Sequence, residues 1–274
     1  MRDAPSRPSP PFVSHFVDIR SRHAPSTITR QLRESGLVTV DGLNSRDAVA
    51  RFASRIMSVV PHPHAAPDGL TVIHNTGAHA HRVGLGAFGK GELEAHTDRA
   101  GTPLPPRLML LVCLQPAAEG GDSLLADGRD VFSHLSGSNA EAVVRFAEPC
   151  TVHFGSGSGH ASQVFTVLPK KRVSVRFRVD GLARWSPVVQ PYLPALRQAI
   201  EGCQRRLRLE PGQGYLLDNH RWLHARTSFV GDRLCLRALG DPRTPFPEGF
   251  SPDSPHIILP RLVSSAPEEL RHVL

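Results

Sequence analysis

The sequence predicts a mainly β protein with flanking helices, folded as a double-stranded β-helix, or jelly roll. From about residue 71 onward, the chain consists of short segments of strand-forming composition separated by Gly- and Pro-rich turns. Segments with helical periodicity fall before and between these strands, so the helices are expected outside the sheets. With 274 residues, the chain is long enough for one large core. We therefore predict a mobile tail over residues 1–27 and a single jelly-roll domain over residues 28–274.

Several segments have helical character. Residues 28–43 are predicted to form a short helix followed by a strand. In residues 45–60, apolar side chains recur at helical spacing, and Ser45 is placed to cap the helix N-terminus. Further helices are predicted at 129–137, 139–146 and 187–206, the last with prolines in its first half.

The predicted strands are apolar throughout or alternate in polarity. RLMLLVCLQ (107–115) is a continuous apolar run of strand length, and RVSVRFRV (172–179) alternates strictly. RLRLEPGQGYLLDN (206–219) predicts two strands joined by a turn at Pro211-Gly212. Further strands are predicted in TVIHNT, DSLLAD, CTVHF, QVFTVL, LHARTSF and DRLCLRALG.

The charge of the chain does not indicate a nucleic-acid partner. The formal net charge is +7, but only three of the 32 basic residues are lysine, and the arginines are spread along the chain without a block of like charge. This pattern is typical of a GC-rich genome. The sequence contains no apolar run of 18 residues, and its N-terminus lacks the apolar core of a secretory signal. We expect no membrane partner and a cytoplasmic location.

A candidate metal site begins in the segment GELEAHTDRAG, which contains His96 and Asp98. Side chains two residues apart on an extended chain share a face, so this imidazole and carboxylate can reach one metal ion. His224, in LLDNHRWLHARTSF, supplies a third ligand from a distant strand. Two histidines and one carboxylate are typical of non-haem Fe(II) oxygenases. The spacing alone leaves zinc open as an alternative.

Two longer stretches resemble the taurine dioxygenase / clavaminate synthase-like family of 2-oxoglutarate-dependent oxygenases. They are EAHTDRAGTPLPPRLMLLVCLQPAAEGGDSLLADG (94–128) and GQGYLLDNHRWLHARTSFVGDRLCLRALGD (212–241). The family features occur in order: H-x-D, then GGDS, then DN-x-x-x-x-H-x-R-T, then DR-x-x-x-R. The combination is specific, although each piece is modest alone. The resemblance covers roughly residues 30–245 and implies a jelly-roll fold.

The resemblance implies roles for individual residues. His96, Asp98 and His224 match the family's iron ligands. Ser123, in GGDS, matches a position that is usually Thr and that binds the distal carboxylate of 2-oxoglutarate; serine keeps the hydroxyl. Arg233 matches the arginine that binds the same carboxylate, for which a planar guanidinium is well suited.

Arg237 matches a position that holds an acidic group of the substrate in several family members. It lies four residues after Arg233, on the same face of a predicted strand but about 13 Å away. Both arginines therefore cannot hold one small carboxylate. A substrate carboxylate and an internal salt bridge to an acidic residue are the two alternatives for Arg237.

The resemblance also implies the cofactors and the reaction. Fe(II) would be chelated by 2-oxoglutarate, and O2 would be consumed as the cosubstrate is converted to succinate and CO2. Hydroxylation of an unactivated C–H bond is the commonest outcome in the family. Halogenases of this type replace the carboxylate ligand with Gly or Ala, so Asp98 argues against halogenation. We expect a small acidic substrate, such as an amino acid or a natural-product intermediate.

Other polar residues and a glycine-rich segment lie near the motifs. His74 and Asn75 precede the motif by about 20 residues, where family members often place substrate contacts; a solvated turn is the alternative. Asn219 is interpreted as a turn or supporting residue rather than a ligand. FGSGSGH (154–160) lacks the lysine and helix of a phosphate-binding loop and is interpreted as a lid or hairpin loop near the site.

Two other functions compete with the oxygenase hypothesis. One is a catalytically silent jelly-roll binding protein that keeps its metal site; retention of Ser123 and Arg233 argues against it. The other is a zinc-dependent hydrolase. Succinate production with Fe(II) and 2-oxoglutarate would separate the first from an oxygenase, and metal analysis would separate the second.

Overall fold

The computed structural model describes residues 15–77, 83–157 and 159–253. Its helices are α1 (Ala24–Ser35), α2 (Arg46–Ile56), α3 (Gly128–Ser138), α4 (Ala140–Ala147) and α5 (Leu193–Cys203). The first nine strands are β1 (Val17–Asp18), β2 (Leu37–Asp41), β3 (Met57–Val59), β4 (Thr71–Ile73), β5 (Leu93–His96), β6 (Leu108–Gln115), β7 (Glu119–Gly120), β8 (Ser123–Asp127) and β9 (Val152–Phe154). The remaining strands are β10 (His160–Ser162), β11 (Phe165–Leu168), β12 (Arg172–Val175), β13 (Ala183–Trp185), β14 (Arg205–Leu207), β15 (Gly214–Asp218), β16 (Trp222–Arg226), β17 (Phe229–Val230) and β18 (Leu234–Pro242).

Two sheets form the centre of the fold. The larger has seven strands in the order β1-β2-β15-β6-β18-β3, with β4 also paired to β18. The smaller has four strands in the order β14-β8-β16-β5. Apolar side chains from both sheets pack into one cluster, among them Met109 of β6, Leu125 of β8 and Tyr215 of β15. The predicted jelly roll is confirmed, with the core between facing sheets.

The helices cover the outer faces of the two sheets. Helices α1 and α2 pack on the larger sheet through a cluster that includes Ile28, Phe52 and Leu110. Helices α3, α4 and α5 pack with the smaller sheet and the β11–β12 hairpin through a second cluster that includes Phe146. Each helix thus buries one apolar stripe, as its sequence period predicts.

Local signals set the ends of the first two helices. Ser45 caps α2, because its side-chain oxygen accepts a hydrogen bond from the backbone N–H of Ala48 at 3.2 Å. Gly36 ends α1 with a φ of 69°, which lets the chain reverse directly into β2. The predicted helix over 45–60 is shorter than expected: Met57 starts a strand that pairs with β18, and this pairing overrides the helical periodicity.

The predicted tail boundary at residue 27 is wrong. Strand β1 pairs in parallel with β2, Val17 opposite Val40, and α1 begins at Ala24, which is buried against the larger sheet. The apolar positions Ala24 and Ile28 belong to one helical stripe, so burial of that stripe orders the segment. Residues 1–14, which complete the predicted tail, and residues 254–274 lie outside the described residues.

None of the helices in the described ranges is long and apolar enough to cross a membrane.

Candidate active site

The smaller sheet brings the three predicted metal ligands together. Strands β5 and β16 pair antiparallel, with His96 directly opposite His224, and their imidazole rings lie 4.2 Å apart between centroids. Asp98 follows two residues after the end of β5 and is buried. One ligand atom from each of the three residues lies within 4.8 Å of the others. Strand register, rather than proximity in sequence, therefore creates the site.

The atoms facing this point are suited to a divalent cation. Nε2 of His224 lies 3.6 Å from Oδ2 of Asp98, and that oxygen is buried with no hydrogen-bond partner among the described residues. The Nδ1 atom of His96 lies 2.9 Å from the backbone oxygen of Glu94, which leaves Nε2 as the free ligand atom. A buried, unpartnered carboxylate oxygen is costly without a cation. The residues therefore fit a bound metal ion of the two-histidine, one-carboxylate type.

Burial and neighbouring charges keep the three side chains in their metal-binding protonation states. Burial, aided by nearby His96, lowers the pKa of His224 to about 3, and burial also lowers the pKa of His96. Both imidazoles are thus neutral at pH 7. Burial opposes ionisation of Asp98, but Arg237 and the neighbouring histidines together outweigh it and hold the pKa of Asp98 at about 2. The carboxylate is therefore charged at pH 7.

Two buried side chains fix the position of Asp98. Nη1 of Arg237 donates to Oδ1 of Asp98 at 2.7 Å, so Oδ2 remains free to face the histidines. The Asn219 side chain accepts from the backbone N–H of Asp98 at 2.7 Å and donates to the backbone oxygens of Asp98 and Pro106 at 3.0 and 2.9 Å. These contacts suit the supporting role that the sequence predicted for Asn219.

Replacing Asn219 with alanine is expected to lower both stability and metal affinity. The change removes three buried hydrogen bonds, so unfolding free energy should fall by about 2–4 kcal/mol, and Fe(II) affinity should fall roughly 10- to 100-fold as Asp98 loses its support. Urea denaturation and anaerobic Fe(II) titration measure the two effects. Asn139→Ala is the matched control, since it removes one helix cap at α4 and should leave Fe(II) affinity unchanged. An Asn219→Ala protein that binds Fe(II) normally would contradict this role.

A second pocket adjoins the two histidines and contains both predicted cosubstrate residues. Its lining includes Ser123, Tyr215 and Arg233 together with His96 and His224. Arg233 is buried and makes no hydrogen bond or ion pair that the described residues reveal; its guanidinium lies 6.0 Å from the ring centroid of Phe229. A buried, unpaired guanidinium beside a hydroxyl is a receptor for a carboxylate.

The two glycines of the GGDS motif stand where a side chain would crowd Arg233 or the backbone of Ser228. A side chain at Gly121, where φ is 73°, would lie 3.0 Å from Cδ of Arg233. A side chain at Gly120, where φ is 67°, would lie 2.1 Å from the backbone oxygen of Ser228. Only glycine allows both the left-handed backbone and the close approach. The motif therefore serves the position of Arg233 as well as presenting Ser123.

A larger cleft of about 600 Å³ also opens onto the candidate metal site. His96 and Asp98 line it, together with residues from 83–94, from 155–159 and from 178–182. The predicted loop after Phe154 joins the antiparallel strands β9 and β10, and Gly155, Ser156 and Gly159 line the cleft. This agrees with the hairpin loop predicted from the sequence.

The sequence interpretation missed two buried residues that shape these pockets. Arg226 donates to the backbone oxygens of the 86–91 loop, at Gly86, Ala87, Gly89 and Gly91. Tyr215 is buried in the core and lines the inner pocket together with Ser123. The motif H-x-R contains Arg226, but a sequence does not reveal that an arginine is bound by backbone oxygens of a distant loop.

The three residues predicted to contact substrate lie in different surroundings. Arg237 lines the inner pocket together with Arg233, as predicted, and it forms the internal salt bridge that was the alternative role, with Asp98 as partner. His74 is exposed and lines a separate depression near Phe88. Asn75 accepts from the backbone N–H of Gly77 at 3.2 Å in a turn. Neither His74 nor Asn75 lines the cleft or the inner pocket, so their contact with substrate stays a prediction from the sequence.

The fold and the site define a jelly-roll protein with a buried two-histidine, one-carboxylate centre and a buried arginine in the pocket beside it. The family described as "Taurine catabolism dioxygenase TauD, TfdA family" matches residues 7–239. The chain belongs to this family.

The sequence identity to individual curated relatives is low. Gamma-butyrobetaine dioxygenase from Homo sapiens is 29% identical over an alignment of 161 residues, which covers 52% of this chain and 41% of that protein. The chain thus spans about two fifths of the length of the curated relatives it matches.

Solved structures share the fold. An asparagine oxygenase in complex with Fe(II), 3-hydroxyasparagine and succinate superposes with a TM-score of 0.60 and 19% identity, covering 80% of this chain and 81% of that one. The non-haem iron oxygenase OrfP in complex with Fe and α-ketoglutaric acid gives 0.63 and 14%, covering 80% and 79%. PvcB from Pseudomonas aeruginosa gives 0.59 and 15%, covering 78% and 81%.

Proposed function

We propose that this protein is an Fe(II)- and 2-oxoglutarate-dependent oxygenase that hydroxylates an unactivated C–H bond of a small acidic substrate. The proposal rests on one observation: the candidate metal site and the pocket of Arg233 lie next to each other. The metal-binding atoms of His96, Asp98 and His224 meet at one point, and the pocket that adjoins them holds the unpaired guanidinium of Arg233. A metal site without a cosubstrate would not need this buried positive charge.

Each residue has a defined task in this proposal. His96 and His224 offer neutral imidazole nitrogens, and Asp98 offers the oxygen that Arg237 leaves free. Three protein ligands would leave coordination positions open for cosubstrate and O2. Arg233 and Ser123 bind the distal carboxylate of 2-oxoglutarate and thereby orient it. Iron with 2-oxoglutarate and O2 supplies the oxidant for C–H cleavage, with succinate and CO2 as coproducts.

The relatives favour a small amino-acid-like substrate. The named asparagine oxygenase structure contains 3-hydroxyasparagine, and an OrfP structure contains (3S)-hydroxy-L-Arg. Both molecules carry a carboxylate, as the acidic substrate proposed from the sequence would. The cleft of about 600 Å³ is large enough for a molecule of this size.

The test is turnover of the purified full chain. Under argon, the protein with one equivalent of Fe(II) should develop a weak visible charge-transfer band when 2-oxoglutarate is added. On admission of O2, it should release succinate at a rate that depends on Fe(II), and amino acids or their derivatives should accelerate that release. Neither band nor succinate with Fe(II), under conditions where the chain is folded, would overturn the proposal.

The same experiment addresses the two competing functions. A silent binding protein would bind Fe(II) without forming succinate from 2-oxoglutarate. A zinc hydrolase would lose its metal-dependent activity when Fe(II) replaces Zn²⁺ and would not consume 2-oxoglutarate. The retained pocket around Ser123 and Arg233 argues against both.

A further inference from the structure

The charged side chains that line the cleft can be sorted by their partners. Seven acidic and arginine side chains contribute to its wall: Glu92, Glu94, Asp98, Arg99, Arg178, Asp180 and Arg237. A charge that already has an ion-pair partner inside the protein is largely neutralised, whereas an unpaired one attracts a ligand of opposite charge. The unpaired members of this set therefore indicate what the cleft binds.

Five of the seven side chains are paired. Arg237 donates to Asp98 at 2.7 Å. Arg178 forms a two-point ion pair with Asp180, one bond of which, from Nε to Oδ1, measures 2.7 Å. Glu94 accepts from Arg197, which lies outside the cleft wall, at 3.1 Å.

Arg99 and Glu92 remain. Within residues 15–77, 83–157 and 159–253, the side chains of Arg99 and Glu92 take part in no ion pair or hydrogen bond. Glu92 is exposed to the cleft, and Arg99 is half-buried in its wall. The cleft thus presents one free carboxylate and one free guanidinium, on either side of the segment that contains His96 and Asp98.

The backbone of Arg99 is an independent sign of a functional position. Its φ of 58° lies in the left-handed region, which a long side chain seldom adopts because Cβ crowds the carbonyl. Arg99 follows Asp98 directly, so this conformation turns the chain away from the metal site while the side chain stays in the cleft wall. Residues held in such conformations cluster at ligand-binding sites.

We infer that Arg99 and Glu92 select a zwitterionic substrate, with Arg99 binding its carboxylate or similar anion and Glu92 binding its ammonium, guanidinium or quaternary ammonium group. The inference rests on the proposed function, which places a substrate in this cleft. It assigns the substrate anion to Arg99, because Asp98 already engages Arg237. A substrate with both charges offers a partner to each unpaired side chain, whereas a purely anionic one offers none to Glu92.

The experiment measures binding rather than turnover. Protein loaded with Fe(II) and 2-oxoglutarate under argon is titrated calorimetrically with the twenty common L-amino acids and γ-butyrobetaine. For each compound that binds, the carboxamide, which keeps only the cation, and the N-acetyl derivative, which keeps only the anion, are titrated next. Wild-type protein should bind at least one zwitterion roughly 10- to 100-fold more tightly than either singly charged derivative.

The variants locate each charge. Arg99→Gln should weaken binding of the zwitterion roughly 10- to 100-fold, and the loss should vanish when the probe is the carboxamide. Glu92→Gln should show the reverse, with a loss that vanishes for the N-acetyl derivative. Arg99→Lys should recover part of the affinity. Arg208→Gln and Glu201→Gln change exposed charges away from the cleft and should bind as wild type does.

The outcomes separate this inference from the proposed function. If the charge-transfer band forms but no zwitterion binds, or if Arg99→Gln and Glu92→Gln bind the zwitterion as tightly as wild type, the inference is overturned and the oxygenase proposal stands. If the band does not form, the result contradicts the proposed function itself. The comparison of zwitterion with its derivatives uses wild-type protein alone, so it decides the matter even if a variant does not fold.

Discussion

Alanine at His96 or His224 is expected to eliminate Fe(II) binding and succinate formation. Each change removes one of three protein ligands, and no other His, Cys, Asp or Glu in the described ranges joins these three within ligand distance. Loss of a residue that merely supports a ligand typically costs 10- to 100-fold in affinity or activity, so loss of a ligand should exceed about 100-fold. Anaerobic Fe(II) titration and succinate analysis measure the effect.

The control for this experiment is a histidine far from the site. His134 is exposed on α3, so His134→Ala should bind Fe(II) and form succinate as wild type does. His96→Ala is the more informative of the two ligand variants, because His224 is the more deeply buried and its loss also leaves a cavity. Thermal unfolding of each variant separates loss of metal from loss of fold. Wild-type turnover in either variant would show that the metal lies elsewhere.

The second large effect is expected at Arg233. Replacing Arg233 with alanine removes the charged partner of the 2-oxoglutarate carboxylate, a contribution of about 2–4 kcal/mol at a desolvated site. The KM for 2-oxoglutarate should therefore rise roughly 30- to 1,000-fold. Ser123→Ala removes a neutral donor and should cost about 1 kcal/mol, or roughly fivefold in KM.

Stability provides a second readout for Arg233. The guanidinium is buried without an ion-pair partner in the described part of the chain, so its removal should not destabilise the folded protein, and the thermal midpoint should stay the same or rise. Arg233→Lys should bind 2-oxoglutarate with intermediate strength, because lysine keeps the charge but not the planar fork. Arg208→Ala, on the surface, is the control. Unchanged KM values in both Arg233→Ala and Ser123→Ala would place the carboxylate elsewhere.

Much of the fold could be predicted because it follows local and periodic signals. The cap at Ser45, the turn at Pro211-Gly212 and the apolar run that becomes β6 all appear where the sequence places them. The error at residues 17–27 has a different origin. Strand β1 has only two residues, and its order depends on pairing with β2 rather than on a pattern of its own.

The sequence by itself determined the chemistry of the candidate site. The alternation of an extended chain puts His96 and Asp98 within reach of one ion, and the ordered motifs, including H-x-R-T and DR-x-x-x-R, identify the family that the comparison with known families then showed. These features can be recognised in the sequence alone because they depend on residue type and on short spacing.

Only the tertiary structure decided how the charges are paired. Arg237 and Asp98 are 139 residues apart, and sequence reasoning left the partner of Arg237 open because strand register and loop path determine it. The same pairing leaves Arg99 and Glu92 as the unpaired charges of the cleft among the described residues. Electrostatic interactions fall off with distance in space. The specificity of the site therefore depends on which side chains the fold brings together.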